Sequence, residues 1–439
     1  MKAKIVPMRF KSTSMEAFNK FLGHLSEIYR DEVEFLEPRV LGETLPEGAE
    51  AVLFPVLWAD LYEEVGALRS LNLPIIVLTT RFGVSLMFDW EAVAFLKSKG
   101  LPVFNPHSVE LAKTLFKALA LKTAMRSQKF MIFQDTDYDG LIPEQFKIFY
   151  WWHESCTRDI YEKFGIRIVR KPYKALCDKA KAIPDDAARR EAARWDFPNE
   201  IPDERPLLSS IKLFMALRDA VDEEGGVVAS GVNCLNEAYD SDTTPCLAWS
   251  LLYQDRGVMG VCEGDTSSLM TQYLVGKTID APVFTTNIYP FLSGMPALSH
   301  EKIQSFPQVQ DPDDHALLVH CGYFGLLPQA TSKKWCLKPC VLGWLVGENS
   351  VAVDAELEKG DITFCKLHGG MDALSAEKAV LEEYVQYPGS DCRNGGLIRV
   401  PDGYRLMERI QSHHVIVTTG KRLNQLRMVC EIFGLRLDA

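Results

Sequence analysis

The chain reads as an α/β protein, with two Rossmann-like parallel-sheet units followed by a C-terminal antiparallel barrel-like domain. Three observations predict this. Short apolar runs alternate with longer helical patterns from the first residues, which implies crossovers onto a largely parallel sheet. The same alternation restarts near residue 128. After about residue 300, strand-like runs arrive without regular helices between them, as in an antiparallel sheet or barrel. A chain of 439 residues exceeds what one hydrophobic core organises, and the expected domains are 1–127, 128–300 and 301–439.

In the first unit, residues 3–8, 51–56, 74–78 and 101–104 read as strands. Met15, Phe18, Leu22, Leu25 and Ile28 mark one helix face that Ser14 can cap, and Gly100 ends a second helix. A third helix carries Val109, Ala112, Leu115, Phe116 and Leu119. The second unit opens with a strand at 129–134, followed by strands at 165–169, 226–232 and 257–261. Residues 176–208 read as a surface helix and a loop, and Ser209 or Ser210 can cap the next helix. In the last domain, 316–320, 341–346, 351–353, 362–367, 397–400 and 415–419 are the strand-like runs, with a closing helix at 422–433.

Composition narrows the function. Hydrophobic residues make up 47%, which excludes a largely disordered chain. Lys and Arg total 48 against 59 Asp and Glu, a formal charge of -11, which argues against a broad nucleic-acid surface. No apolar run approaches the roughly 20 residues that span a bilayer, and the opening MKAKIVPMRF has no secretory apolar core. The eleven cysteines are diluted, odd in number and mostly set among apolar residues. Reduced thiols and a cytoplasmic location are therefore expected; the Cys336 and Cys340 pair reads as buried or loop thiols, with zinc as the alternative.

The sharpest local pattern is Cys262-Glu263-Gly264-Asp265-Thr266, where an apolar strand runs into two carboxylates and then a helix. Open α/β sheets bind ligands at the carboxyl ends of their strands. Glu263 is a candidate ligand or acid/base group; alternatively it forms a salt bridge while Asp265 caps the helix. Asn287 ends another apolar run, and either supplies a carbonyl or stabilises a turn. His320 ends the run 316–320, and His413 and His414 precede Val415. Imidazoles with carboxylates suit divalent metals. On a regular strand His413 and His414 point oppositely, so one of them is expected to ligate while the other packs. Trp151-Trp152-His153 reads as a sugar-stacking, interface or core segment.

This combination resembles the L-fucose isomerase and L-arabinose isomerase superfamily over most of the length. The match is best at Cys262-Glu263-Gly264-Asp265 and the helical segment 271–274. Asn287 falls where fucose isomerases carry their second metal-binding carboxylate. His413-His414 matches their late metal-histidine region, and His320 the extra histidine of arabinose isomerases. The resemblance implies metal ligands among Glu263, Asn287, His320, His413 and His414, with Glu263 and Asn287 at the catalytic positions. It implies a divalent metal, manganese first, with Mg, Co, Fe or Zn as alternatives. The ligand would be an open-chain sugar or related polyhydroxylated molecule, with no nucleic acid or membrane partner. The assembly would be a homotrimer or homohexamer with sites between subunits.

The implied activity is aldose–ketose isomerisation or a related metal-dependent carbohydrate reaction. That reaction moves a proton between C1 and C2, and so needs acid/base groups beside polarised oxygens. Asn287 departs from the pattern, because an amide carries no exchangeable acid/base proton in ordinary protein chemistry. The alternative it raises is a non-catalytic carbohydrate-binding or regulatory protein on the same scaffold.

Overall fold

A computed structural model describes residues 1–57, 59–135, 152–234, 237–293, 308–320, 324, 326–340, 350–386 and 394–439. The chain forms two compact units. The first comprises Met1–Ala124 with Lys277–Ile279 and Arg427–Phe433; the second comprises Met125–Gly276, Asp280–Leu426 and Gly434–Ala439. Among the described residues, no helix is long and apolar enough to cross a membrane.

The first unit is a parallel sheet of β1 (Ala3–Arg9), β2 (Val33–Phe35), β3 (Arg39–Val40), β4 (Ala51–Phe54), β5 (Ile75–Val77) and β6 (Val103–Phe104). Its order is β2-β1-β4-β5-β6, with β3 also on β1. The β4 strand is buried at every position, as both faces of a helix-covered sheet require. The helices Met15–Ile28, Asp89–Ser98 and Val109–Ala124 follow the expected stripes, and the Ser14 hydroxyl accepts from the Ala17 amide.

The second unit begins with β7 (Lys129–Phe133), β8 (Arg167–Lys171), β9 (Val227–Val232) and β10 (Met259–Val261), in the parallel order β10-β9-β7-β8. Gly165 and Gly257 adopt positive φ as helix C-caps rather than opening their strands. Residues 173–192 form two helices, Tyr173–Ala182 and Asp185–Ala192. The next helix starts at Arg205, with Pro206 in its first turn. Ser210 is therefore not its cap; its hydroxyl is buried against Thr243 Oγ1 at 2.7 Å.

The antiparallel part contains β11 (Val283–Pro290), β12 (His315–His320), β13 (Lys334–Pro339), β14 (Val351–Glu356), β15 (Gly360–Leu367), β16 (Ala373–Val385), β17 (Asn394–Arg399), β18 (His414–Thr419) and β19 (Arg436–Asp438). Neighbours run β15-β18-β11-β12-β17-β16, and β15 also pairs with β16, so these strands close into a barrel. Phe284, Ile288, Leu318, Ile398, Leu381 and Val417 come from one face of the barrel strands and belong to one buried cluster. That cluster continues into the helices of the parallel sheet through Trp249, Phe214 and Leu217.

Two boundaries differ from expectation. The barrel begins at Val283 rather than near residue 301, because β11 pairs antiparallel with β12 and β18 and not with β10. Residues 351–353 belong to a separate ribbon of β13 and β14. The strand expected at 341–346, and Trp151, lie outside the described residues.

Candidate metal centre

Glu263 follows β10 directly, at the carboxyl end of the parallel sheet, in the short turn Cys262–Gly264. Its φ of 56° and ψ of 15° place it in the left-handed region, and Gly264 follows at φ +66°. A glutamate there costs roughly 1–2 kcal/mol against an ordinary backbone, so the surrounding structure holds the turn. Part of that hold is Trp152, whose indole Nε1 donates to the Gly264 carbonyl at 2.8 Å from a 4% exposed position. Trp152 is thus core beneath the turn, neither a sugar platform nor an outer contact. His153 caps the helix Glu154–Phe164.

His413 and His414 arrive from the barrel. One ligand atom from each of Glu263, His413 and His414 lies within 4.8 Å of the others. Among the described residues, no other group of three His, Cys, Asp or Glu side chains is brought so close. The expectation that only one histidine faces this point assumes a regular strand through both. The strand starts at His414, so His413 lies before the alternation begins, and the two rings stand 4.1 Å apart at 47°.

Asp265 braces the group. It is 1% exposed, and its Oδ1 accepts from the Ser268 amide at 2.7 Å, which caps the following helix. Its Oδ2 accepts from Ser268 Oγ at 2.8 Å, from Lys366 Nζ at 2.9 Å and from His414 Nδ1 at 2.9 Å. Burial alone would raise the Asp265 carboxyl, but the Lys366 ammonium and the His414 and Ser268 hydrogen bonds hold it far below the usual range. Burial lowers Lys366 in turn, against the opposing pull of Asp265. Lys366 also bonds Ser268 Oγ. With Nδ1 turned to a carboxylate, the His414 ring presents Nε2 as its ligand atom, the arrangement by which carboxylates orient metal-binding histidines.

Asn287 is beside this set. It pairs with His414 across β11 and β18, so the two side chains share a sheet face. Asn287 is 7% exposed, and its carbonyl Oδ1 is buried with no hydrogen-bond partner among the described residues. Next to it in β11, Thr285 Oγ1 donates to Gln272 Oε1 at 2.6 Å, tying the same face to the helix Thr266–Thr278. His320 is not brought to the set. Asn287 pairs with Val319, so alternation turns His320 to the opposite face, with Leu318 and Ile288.

The donor set fits a divalent cation. One carboxylate and two imidazoles are a common ligand combination for such ions, and the Asn287 carbonyl adds an oxygen acceptor. Ligand atoms about 2.1 Å from one ion lie about 3–4 Å apart, so small side-chain rotations close the present spacing. Lys366 and Ser268 were not singled out in the sequence. The available signal was a lysine inside the apolar strand Ile-Thr-Phe-Cys-Lys-Leu, where a buried ammonium demands a carboxylate partner. The comparisons with family models and with curated proteins find no match.

Proposed function

We propose that the chain is a divalent-metal-dependent carbohydrate enzyme of the sugar-isomerase type, acting on an open-chain sugar or related polyhydroxylated molecule. The observation that carries this reading is the convergence of Glu263, His413 and His414, with Asp265 fixing the His414 ring. A divalent ion held here, manganese first, would polarise the adjacent carbonyl and hydroxyl oxygens of the sugar. Glu263 would hold the ion and serve as the proton-transfer group, moving a proton between C2 and C1 while the hydroxyl proton passes between the oxygens on those two carbons, so that aldose and ketose interconvert with no atom gained or lost. The Asn287 Oδ1 accepts from a sugar hydroxyl or completes the metal's ligands. Asp265, Lys366 and Ser268 hold the geometry without touching the reacting carbons.

Asn287 also favours a second reading, a carbohydrate-binding or regulatory protein on the same scaffold, because the amide removes one acid/base group. Metal analysis of the purified chain, followed by a sugar panel in deuterated water, separates the two. Metal-dependent incorporation of deuterium at a carbon next to the carbonyl supports the enzyme. Sugar binding without exchange, with or without metal, supports the binding protein. Absence of metal affinity overturns the enzyme, and absence of sugar binding overturns both.

A further inference from the structure

Two cysteines meet at the edge of the same sheet. Cys234 follows β9 and Cys262 follows β10, and their sulfurs are 3.7 Å apart. That separation is van der Waals contact between thiols, about 1.7 Å longer than a disulfide bond. Cys262 is 4% exposed, whereas Cys234 is only partly buried, so it is the thiol of the pair nearer to solvent. The strands beneath them are locked in parallel register at Met259–Ala229, Gly260–Ser230 and Val261–Gly231, so the pair is held together by the sheet. Cys262 is also the residue before Glu263, in the left-handed turn.

We propose that Cys234 and Cys262 form an oxidisable dithiol, whose disulfide displaces the Glu263 turn. The oxidant class is a peroxide. The Cys234 sulfur attacks one oxygen of hydrogen peroxide, the O–O bond breaks, and the departing hydroxide leaves as water with the proton of the Cys234 thiol. Cys234 is then a sulfenic acid. The Cys262 sulfur attacks it, the S–S bond forms as the S–O bond breaks, and the second hydroxide leaves as water with the Cys262 proton. Two thiols and one peroxide give one disulfide and two waters. Drawing the sulfurs to about 2.05 Å pulls on a backbone already at φ 56° one residue later. The turn has little slack, because Gly264 is pinned by Trp152. The consequence for metal affinity rests on the metal reading above; the cross-link and the backbone displacement do not.

The test treats the full chain with one equivalent of hydrogen peroxide, alkylates remaining thiols and maps peptides without reduction. A peptide pair joining Cys234 to Cys262 is expected, reversed by dithiothreitol, absent in Cys234→Ser and retained in Cys336→Ser. Hydrogen exchange in a peptide covering residues 259–266 should rise on oxidation of the wild type and stay unchanged in Cys234→Ser. Manganese affinity should fall at least tenfold in the oxidised wild type alone. Full alkylation of Cys262 after peroxide, or its linkage to another cysteine, overturns the dithiol. A cross-link without altered exchange overturns the displacement of Glu263. Should neither redox form bind manganese while both other results hold, the metal reading fails and the dithiol stands.

Discussion

Glu263 concentrates the unusual features of the chain: a carboxylate 8% exposed, left-handed backbone, and two histidines within ligand reach. Strain of this kind persists only where neighbouring contacts enforce it, and it collects at functional sites. Glu263→Gln keeps the size and loses the charge, so manganese affinity measured by titration calorimetry should fall at least ~10-fold with the thermal midpoint little changed. Asn287→Asp should strengthen metal binding by adding a charged oxygen beside His414, and should raise deuterium exchange on an aldose if Glu263 lacks only a partner. Unchanged metal and sugar binding in both variants removes these residues from the ligand set. Lys366→Met should weaken metal binding by ~10–100-fold through the loosened Asp265–His414 pair. It should also destabilise the fold by about 3–5 kcal/mol, because it leaves Asp265 charged without its cation. The double change Asp265→Asn with Lys366→Met should recover most of that stability in urea melts and none of the metal affinity. Glu237 supplies a separate pH test. It is 1% exposed and accepts the Asp135 amide at 3.0 and 3.1 Å, yet burial raises its carboxyl from 4.5 to about 7. A raised acid stabilises the fold fully below its unfolded value and loses that contribution as pH climbs through the folded one. The thermal midpoint should therefore decline between about pH 5 and 8, and Glu237→Gln should flatten that slope; parallel slopes in melts of the two proteins would refute it.

Among the elements, the sequence showed best those whose pattern reflects burial. The fully buried strands β4 and β5 are continuous apolar runs, and the helix Met15–Ile28 has a single stripe and a cap. The strand β16 was not legible. Its Ala-Glu-Lys-Ala-Val-Leu-Glu-Glu-Tyr core is rich in helix formers, and only pairing with β15 and β17 makes it extended. The same limit applies to β11, since an apolar run does not say whether its neighbour lies parallel or antiparallel. In the candidate site, the convergence of Glu263, His413 and His414 could be sought from the sequence because polar residues interrupt apolar runs there. The Lys366–Asp265–His414 arrangement could not, because it joins residues roughly 100 to 150 positions apart. His320 misled for the converse reason: its place in the chain resembles a strand-end ligand, while the register decides its face. Element packing also yields a stability test. At Gly260, a Cβ would collide with the Trp249 ring, so β10 and the helix Cys246–Arg256 approach more closely than alanine allows. Gly260→Ala should cost about 1–3 kcal/mol of unfolding free energy in urea, whereas Gly23→Ala, inside the helix Met15–Ile28 with nothing among the described residues within 4 Å of the added carbon, should cost nothing. A loss at Gly260 no larger than at Gly23 would show that β10 and its helix are not packed as described.

At the scale of the whole molecule, the proposed sugar-isomerase reading predicts a trimer or hexamer, and charge decides what kind of surface could hold one. Each chain carries a formal charge of -11, so like subunits repel and association needs apolar contact to prevail. The first unit offers such a surface between residues 82 and 90. Phe82 is 64% exposed, Met87 59%, Phe88 79% and Trp90 54%, with Leu86 at 49% among them. Isolated exposed hydrophobics are ordinary, but this many within nine consecutive residues make the segment a candidate interaction site. Aromatic side chains are also enriched among residues that dominate association energy. We predict that light scattering finds three or six times the 49.4 kDa chain mass across dilution. Phe88→Glu combined with Trp90→Glu should shift the population to smaller species, because it adds two charges where repulsion already opposes contact. Both side chains are exposed, so the variant should keep its thermal midpoint, measured at a concentration where the wild type has also dissociated. Raising the salt should favour assembly in the wild type by screening the net charge, and should not rescue the double variant, which has lost apolar area as well. A monomeric mass for the wild type at every concentration and salt would defeat the assembly, and an undiminished oligomer in the double variant would place the contact elsewhere on the chain.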